Sequence, residues 1–118
     1  MPKRSEYGID WYDWRGSYRV YRWGEVEEET VLDCVPDSAE WFELLGRIKS
    51  FNFRGKNGRF SVEKVIKKGR PYWYGWKHRR GVNKNVYLGR RLGLTIDRLE
   101  LAAGVLEQKV NEALGEVH

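Results

Sequence analysis

The sequence predicts an α+β fold: an antiparallel three- to four-stranded sheet packed on a C-terminal helix, preceded by an N-terminal β-hairpin and a short helix. Three observations carry this expectation. Between residues 51 and 88, short runs of β-formers are separated by glycine-containing turns. Leu99, Ala102, Ala103, Leu106, Val110, Ala113 and Leu114 recur at the spacing of one helix face. The segment SYRVYRW at 17–23 is rich in β-formers and is followed by a second such stretch, EVEEETVLDCV.

Taken in order, residues 1–16 show an aromatic cluster at Trp11, Tyr12 and Trp14 and read as irregular. Residues 17–23 and the acidic stretch after Gly24-Glu25 read as a hairpin. Glu27, Glu28 and Glu29 are consecutive, so a strand cannot place all of them on one face; they read as a solvated acidic edge that discourages further pairing. Pro36-Asp37-Ser38 starts a helix, with Asp37 as cap and Glu40 completing a capping box. Trp41, Leu44, Leu45 and Ile48 form its apolar stripe, and Gly46 weakens its last turn.

Phe51 and Phe53 alternate on a short strand, and the GKNG run at 55–58 turns the chain into RFSVEKVIKK. Gly69-Arg70-Pro71 breaks that strand and PYWYGWKH forms the next. Arg79-Arg80-Gly81 turns again, and NKNVYL returns until Gly89. Thr95 is placed to cap the last helix, Asp97 favours its positive end, and Gly115 terminates it. The reading divides the chain into an acidic, aromatic-rich hairpin segment over 1–36 and a basic sheet-plus-helix domain over 37–118.

Composition limits the class. Hydrophobic residues at 41% and aromatics at 14% are too many for a disordered chain. The single cysteine, Cys34, closes no disulfide within the chain and makes no zinc site alone, which suits a reduced compartment. No apolar run has the length of a membrane span. The opening MPKRSEYG has no hydrophobic stretch after its basic start, so no secretory signal is read and a cytoplasmic protein is expected.

The net charge of +5 conceals a strong segregation. Residues 1–46 hold 5 Lys/Arg and 11 Asp/Glu; residues 47–91 hold 15 Lys/Arg and a single acid, Glu63; residues 92–118 hold 2 Lys/Arg and 5 Asp/Glu. Surfaces that serve only solubility intersperse the two signs. A basic block with a single acid points to a polyanion, with binding that falls steeply as salt rises.

Strand alternation then assigns faces. Val86 and Leu88 point to the helix, and Asn83, Asn85 and Tyr87 point away from it. In the middle strand Tyr72, Tyr74, Trp76 and His78 share the outward face, and Trp73, Gly75 and Lys77 the other. Phe60, Val62 and Ile66 read as core, leaving Ser61, Glu63, Val65 and Lys67 outside. The candidate nucleic-acid-binding residues are Lys67, Lys68, Arg70, Tyr74, Trp76, His78, Arg79, Arg80, Asn83, Lys84, Asn85, Tyr87, Arg90 and Arg91. Lysine and arginine neutralise phosphates, asparagine reads adenine, arginine reads guanine, and aromatic rings meet thymine methyls or unpaired bases.

Other motifs are weaker. GKNG fits the Gly-x-x-Gly loop that clamps nucleic-acid backbones in KH domains, but that loop joins helices and FSVEKVI favours a strand. GRRLG lacks the Gly-Lys-Ser/Thr of a P-loop. The histidines are His78 and His118; His78 has no acid near in sequence, and Glu63 alone gives no carboxylate set for a metal in the basic region. No catalytic residue, metal or cofactor is assigned, and the protein is not expected to be an enzyme.

The stretch GRPYWYGWKHRRGVNKNVYLG resembles the arm-type DNA-binding domain of phage and transposon tyrosine integrases. The longer run from Trp41-Phe42 through FNFRGKNGRFSVEK to YLGRRLGLTIDRLELAA is similar to a module attached to some LuxR-type regulators and integrases. The resemblance spans about residues 38–107 and implies a three-stranded sheet with a C-terminal helix, the sheet laid in the DNA major groove. The acidic N-terminal block has no counterpart in that pattern, and no integrase catalytic domain follows. The expectation is a small non-enzymatic DNA-binding protein that reads duplex DNA, a regulator or accessory factor of a mobile element or phage. Two alternatives stand beside it: an RNA-binding protein using the same face, and a protein-protein adaptor or inhibitor acting on a nucleoprotein complex, with a protein partner engaged through the acidic N-terminal segment. No membrane partner is expected.

Overall fold

The computed structural model describes residues 5–23, 29–32 and 34–115. The strands are β1 (Tyr7–Tyr12), β2 (Ser17–Trp23), β3 (Glu29–Val31), β4 (Ser50–Arg54), β5 (Arg59–Lys67), β6 (Arg70–Arg79) and β7 (Val82–Gly89). The helices are α1 (Ala39–Arg47) and α2 (Ile96–Ala113), with a short 3-10 turn at Arg91–Gly93. The α+β class holds, with a C-terminal helix on the sheet. The strand number differs from expectation: one seven-stranded sheet runs β3-β2-β1-β4-β5-β6-β7.

The four strands expected over 51–88 are β4 to β7, antiparallel throughout. The extra breadth comes from the N-terminus. Residues 7–12, read as irregular, form β1, which pairs antiparallel with β2 and parallel with β4. The acidic stretch supplies β3 over Glu29–Val31, paired antiparallel with β2; Glu27 and Glu28 lie outside the described residues. The N-terminal segment and the basic region therefore share one sheet.

Both helices lie on the same face of that sheet. The side chains pointing to them, Ile9, Val20, Phe51, Phe53, Phe60, Val62, Trp73 and Leu88, form one buried cluster with Trp41, Leu44 and Leu45 of α1 and Leu99, Ala102, Ala103 and Leu106 of α2. Trp73 is fully buried beside Phe51, ring centroids 5.8 Å apart. Each such large apolar side chain contributes about 1.5–3 kcal/mol by leaving water. The Trp41 indole N–H donates to the Leu94 carbonyl at 2.9 Å, joining α1 to the segment that leads into α2. Ile66, expected in the core, is exposed: it stands beside the β5–β6 turn, outside the buried cluster.

The caps follow local chemistry with one change of residue. Thr95 caps α2, its side chain accepting from the Arg98 N–H, as expected. Ser38, not Asp37, caps α1, accepting from the Trp41 N–H. The cap therefore falls one residue later and Glu40 no longer sits where a capping box needs it. Asp37 turns away and accepts from the Ile96 N–H at 2.8 Å, at the start of α2.

Polar ties fix α2 on the sheet. Glu100, buried, accepts from the backbone N–H groups of Lys56 and Asn57 at 2.8 and 3.1 Å and from the Tyr18 hydroxyl. It thereby holds the GKNG turn. Lys77, also buried, donates to the Arg59 carbonyl at 2.6 Å and pairs with Glu107 at 3.1 Å. At the sheet edge, Lys109 and Arg98 donate to the Asn85 and Tyr87 carbonyls of β7, which blunts that edge against further pairing. No helix among the described residues is long and apolar enough to cross a membrane.

Candidate nucleic-acid interface

The face of the sheet opposite the helices carries the polar and aromatic side chains. Strand register arranges them in lines across the sheet. One line runs Tyr87, Tyr74, Glu63, Ser50. The next runs Asn85, Trp76, Ser61, Asn52, Gly8, Tyr21. A third holds the pair Asn83 and His78 and the set Arg59, Arg54, Asp10 and Arg19. The alternation expected for β6 and β7 is therefore present: Trp73, Gly75 and Lys77 are buried under the helices, while Asn83, Asn85, Tyr87 and His78 are exposed on the other side.

At the β5–β6 end, Lys67, Lys68, Arg70, Tyr72, Tyr74 and Tyr87 line an open groove of about 630 Å³. The Tyr87 ring lies 5.3 Å from Tyr74 and 6.2 Å from Tyr72. The Lys67 ammonium donates to the Tyr74 hydroxyl at 2.6 Å and sits 4.7 Å from its ring centroid. The Arg90 guanidinium lies 5.8 Å from the Tyr72 ring. Each cation–ring contact holds a long side chain over the face without neutralising its charge. Lys67, Lys68, Arg70 and Arg90 have no acidic partner among the described residues.

Both turns that bound β6 have two residues, because Lys67 pairs with Arg70 and Arg79 with Val82. Their φ angles are positive at both central positions: 51 and 75 at Lys68 and Gly69, 50 and 82 at Arg80 and Gly81. This is the backbone of a type I′ hairpin turn, whose first position favours asparagine or aspartate. Here a lysine and an arginine occupy it, against local preference. The two turns stand at opposite ends of β6, about 30 Å apart along a ten-residue strand.

The structure thus gathers Lys67, Lys68, Arg70, Tyr74, Trp76, His78, Asn83, Asn85, Tyr87 and Arg90 on or around one face, with Arg80 at a turn. It places the other three elsewhere. Arg79 points to the helices, where it donates to both Glu107 oxygens at 2.8 and 3.0 Å and to Asn111 at 2.8 Å. Lys84 lies opposite Lys77 in register and so on the helix side. Arg91 donates to the Phe42 carbonyl of α1 at 3.1 Å. The Arg79 hydrogen bond is the main reason that the Glu107 carboxyl lies below its ordinary range.

Sequence reasoning missed Arg19, Asn52, Arg54 and Arg59. The GKNG turn did contain the signal for two of them: a four-residue loop puts Arg54 directly opposite Arg59. No family model, curated protein or solved structure matches the chain.

Proposed function

We propose that the protein binds nucleic acid, duplex DNA in the first place, by laying the helix-free face of β5–β7 against it, and that it acts by binding alone. The observation that carries this reading is the composition of that face: aromatic rings and two exposed asparagines on β6 and β7, edged by Lys67, Lys68, Arg70 and Arg90 with no acid paired to them among the described residues. A two-stranded ribbon fits a B-DNA major groove about 12 Å wide, where the amide of an asparagine can both donate to and accept from adenine. The cations at the β5–β6 end then meet backbone phosphates, which position the protein without reading sequence. The resemblance of residues 69–89 to the arm-type domain of tyrosine integrases, a sheet laid in the major groove, supports the same orientation. It also supports a role as a regulator or accessory factor of a mobile element or phage.

The test is fluorescence anisotropy with labelled duplex DNA, single-stranded DNA and duplex RNA over a salt series. The reading expects duplex DNA to bind tightest, with affinity falling steeply as salt rises. Replacing Lys67, Lys68 and Arg70 by alanine removes three phosphate contacts and should flatten the log–log salt slope by roughly 2–3. Tighter binding to duplex RNA would move the reading to RNA, and no binding to any of the three at low salt would end it.

A further inference from the structure

The outer face also contains a smaller cleft. Where β1, β4, β5 and β6 lie side by side, a cavity of about 330 Å³ is lined by Asp10, Tyr21, Asn52, Arg54, Ser61 and Trp76, with Arg59 and His78 at its side. Its volume is at the low end of the ~300–1,000 Å³ usual for ligand clefts. That admits something the size of one nucleotide and excludes a base pair with its neighbours.

The lining sorts into two kinds of surface. Arg54 and Arg59 face each other across the β4–β5 ladder, both exposed and neither with an acid partner among the described residues. Like charges directly opposite on a ladder repel, and an anion between them removes the repulsion. Trp76 and Tyr21 supply flat rings. Tyr21 lies down over Gly8, where a Cβ would come within 2.4 Å of the ring, and it is only 6% exposed. Between rings and cations stand Asn52 and Ser61, opposed in register with the Ser61 hydroxyl donating to the Asn52 side-chain Oδ1 at 3.3 Å. Asp10 adds an acceptor already held by the Tyr21 hydroxyl at 3.2 Å.

A phosphate site, a stacking surface and short hydrogen-bonding groups at one-nucleotide scale are what proteins use to hold a base taken out of its stack. We propose that this cleft receives a single unpaired nucleotide, its phosphate between Arg54 and Arg59 and its base against Trp76. The inference deepens the nucleic-acid reading and rests on it. Trp76 is the register partner of Asn85, so the cleft opens directly beside the line of side chains proposed to meet the duplex. The preferred target is then a duplex that offers one unpaired base at that point.

The experiment compares the full chain on two labelled oligonucleotides of the same sequence, a perfect duplex and a duplex with one bulged nucleotide, with 2-aminopurine as the bulged base. The bulged duplex should bind about tenfold tighter, within the range expected for one base stacked on an aromatic side chain. The 2-aminopurine emission should fall on binding. Ser61→Phe fills the cleft without changing charge and should erase the tenfold preference, read as the ratio of the two affinities measured on the same variant. Arg54→Gln with Arg59→Gln should weaken the bulged duplex more than the perfect one. Equal affinity for the two oligonucleotides with unchanged emission would overturn the cleft assignment and leave duplex binding standing. Binding of neither would overturn both. The emission readout uses the unaltered chain, so a misfolded variant cannot decide the question.

Discussion

Glu100 is an acid at 8% exposure among the buried, otherwise apolar, residues of α2. Its carboxylate accepts two backbone N–H groups of the GKNG turn and the Tyr18 hydroxyl, so a buried charge is offset by several short donors. Removing it strands two amides beneath the helix. Glu100→Ala should cost about 3 kcal/mol in urea denaturation, and Tyr18→Phe, which removes one donor, about 1 kcal/mol. Burial, and after it the hydrogen bond to Glu100, raises the Tyr18 phenol well above its ordinary range. None of this was legible in the sequence, because Glu100 is buried by a turn more than forty residues away. The Thr95 cap was legible, being fixed by neighbours in the chain. The choice between Asp37 and Ser38 was not, since both can cap and a distant amide, that of Ile96, decided it.

At the scale of elements, the two hairpins joined by β6 show a conflict between stability and the proposed role. Lys68 sits at a left-handed position, φ 51, that asparagine fills at lower cost. Lys68→Asn should raise stability by about 0.5 kcal/mol in thermal unfolding and weaken duplex binding in the same preparation. The pairing of α2 with β6 adds a pH dependence. Glu107 lies below its ordinary range chiefly through the Arg79 hydrogen bond, with burial opposing and Lys77 assisting. A depressed carboxyl contributes stability above its ordinary value, and that contribution is lost as pH falls through the lower folded value. Glu107→Gln should therefore be less stable at neutral pH, and its stability should decline less than the wild type between about pH 5 and pH 3. The β4–β7 strands and α2 were readable because their turns and periodicity are local. β1 was not: YGIDWY contains Gly8 and Asp10, residues depleted in strands, and its parallel partner β4 lies some forty residues on. The cleft was hidden for the same reason, since Asp10, Arg54 and Trp76 meet only once β1 has joined the sheet.

Over the whole molecule, charge and layer coincide. The acids of α2 face inward, Glu107 to Lys77 and Arg79 and Glu100 to the backbone amides of Lys56 and Asn57, or lie on the helix layer, while the cations of the β5–β6 end stand on the other side of the sheet. The basic excess over 47–91 was plain in the sequence, but which of its residues are already paired was not; Arg79, the centre of an ion pair, looked there like any other hairpin arginine. The central claim is that nucleic acid meets the helix-free face. It is tested most directly by following the tryptophan indole N–H resonances during a titration with duplex DNA. Trp76 lies on the outer face, and Trp41 and Trp73 are buried behind the sheet. The account predicts that the Trp76 resonance shifts in proportion to bound DNA while those of Trp41 and Trp73 stay in place. A stationary Trp76 resonance, with the shifts confined to residues of α1 and α2 or with no shifts at all, would contradict it.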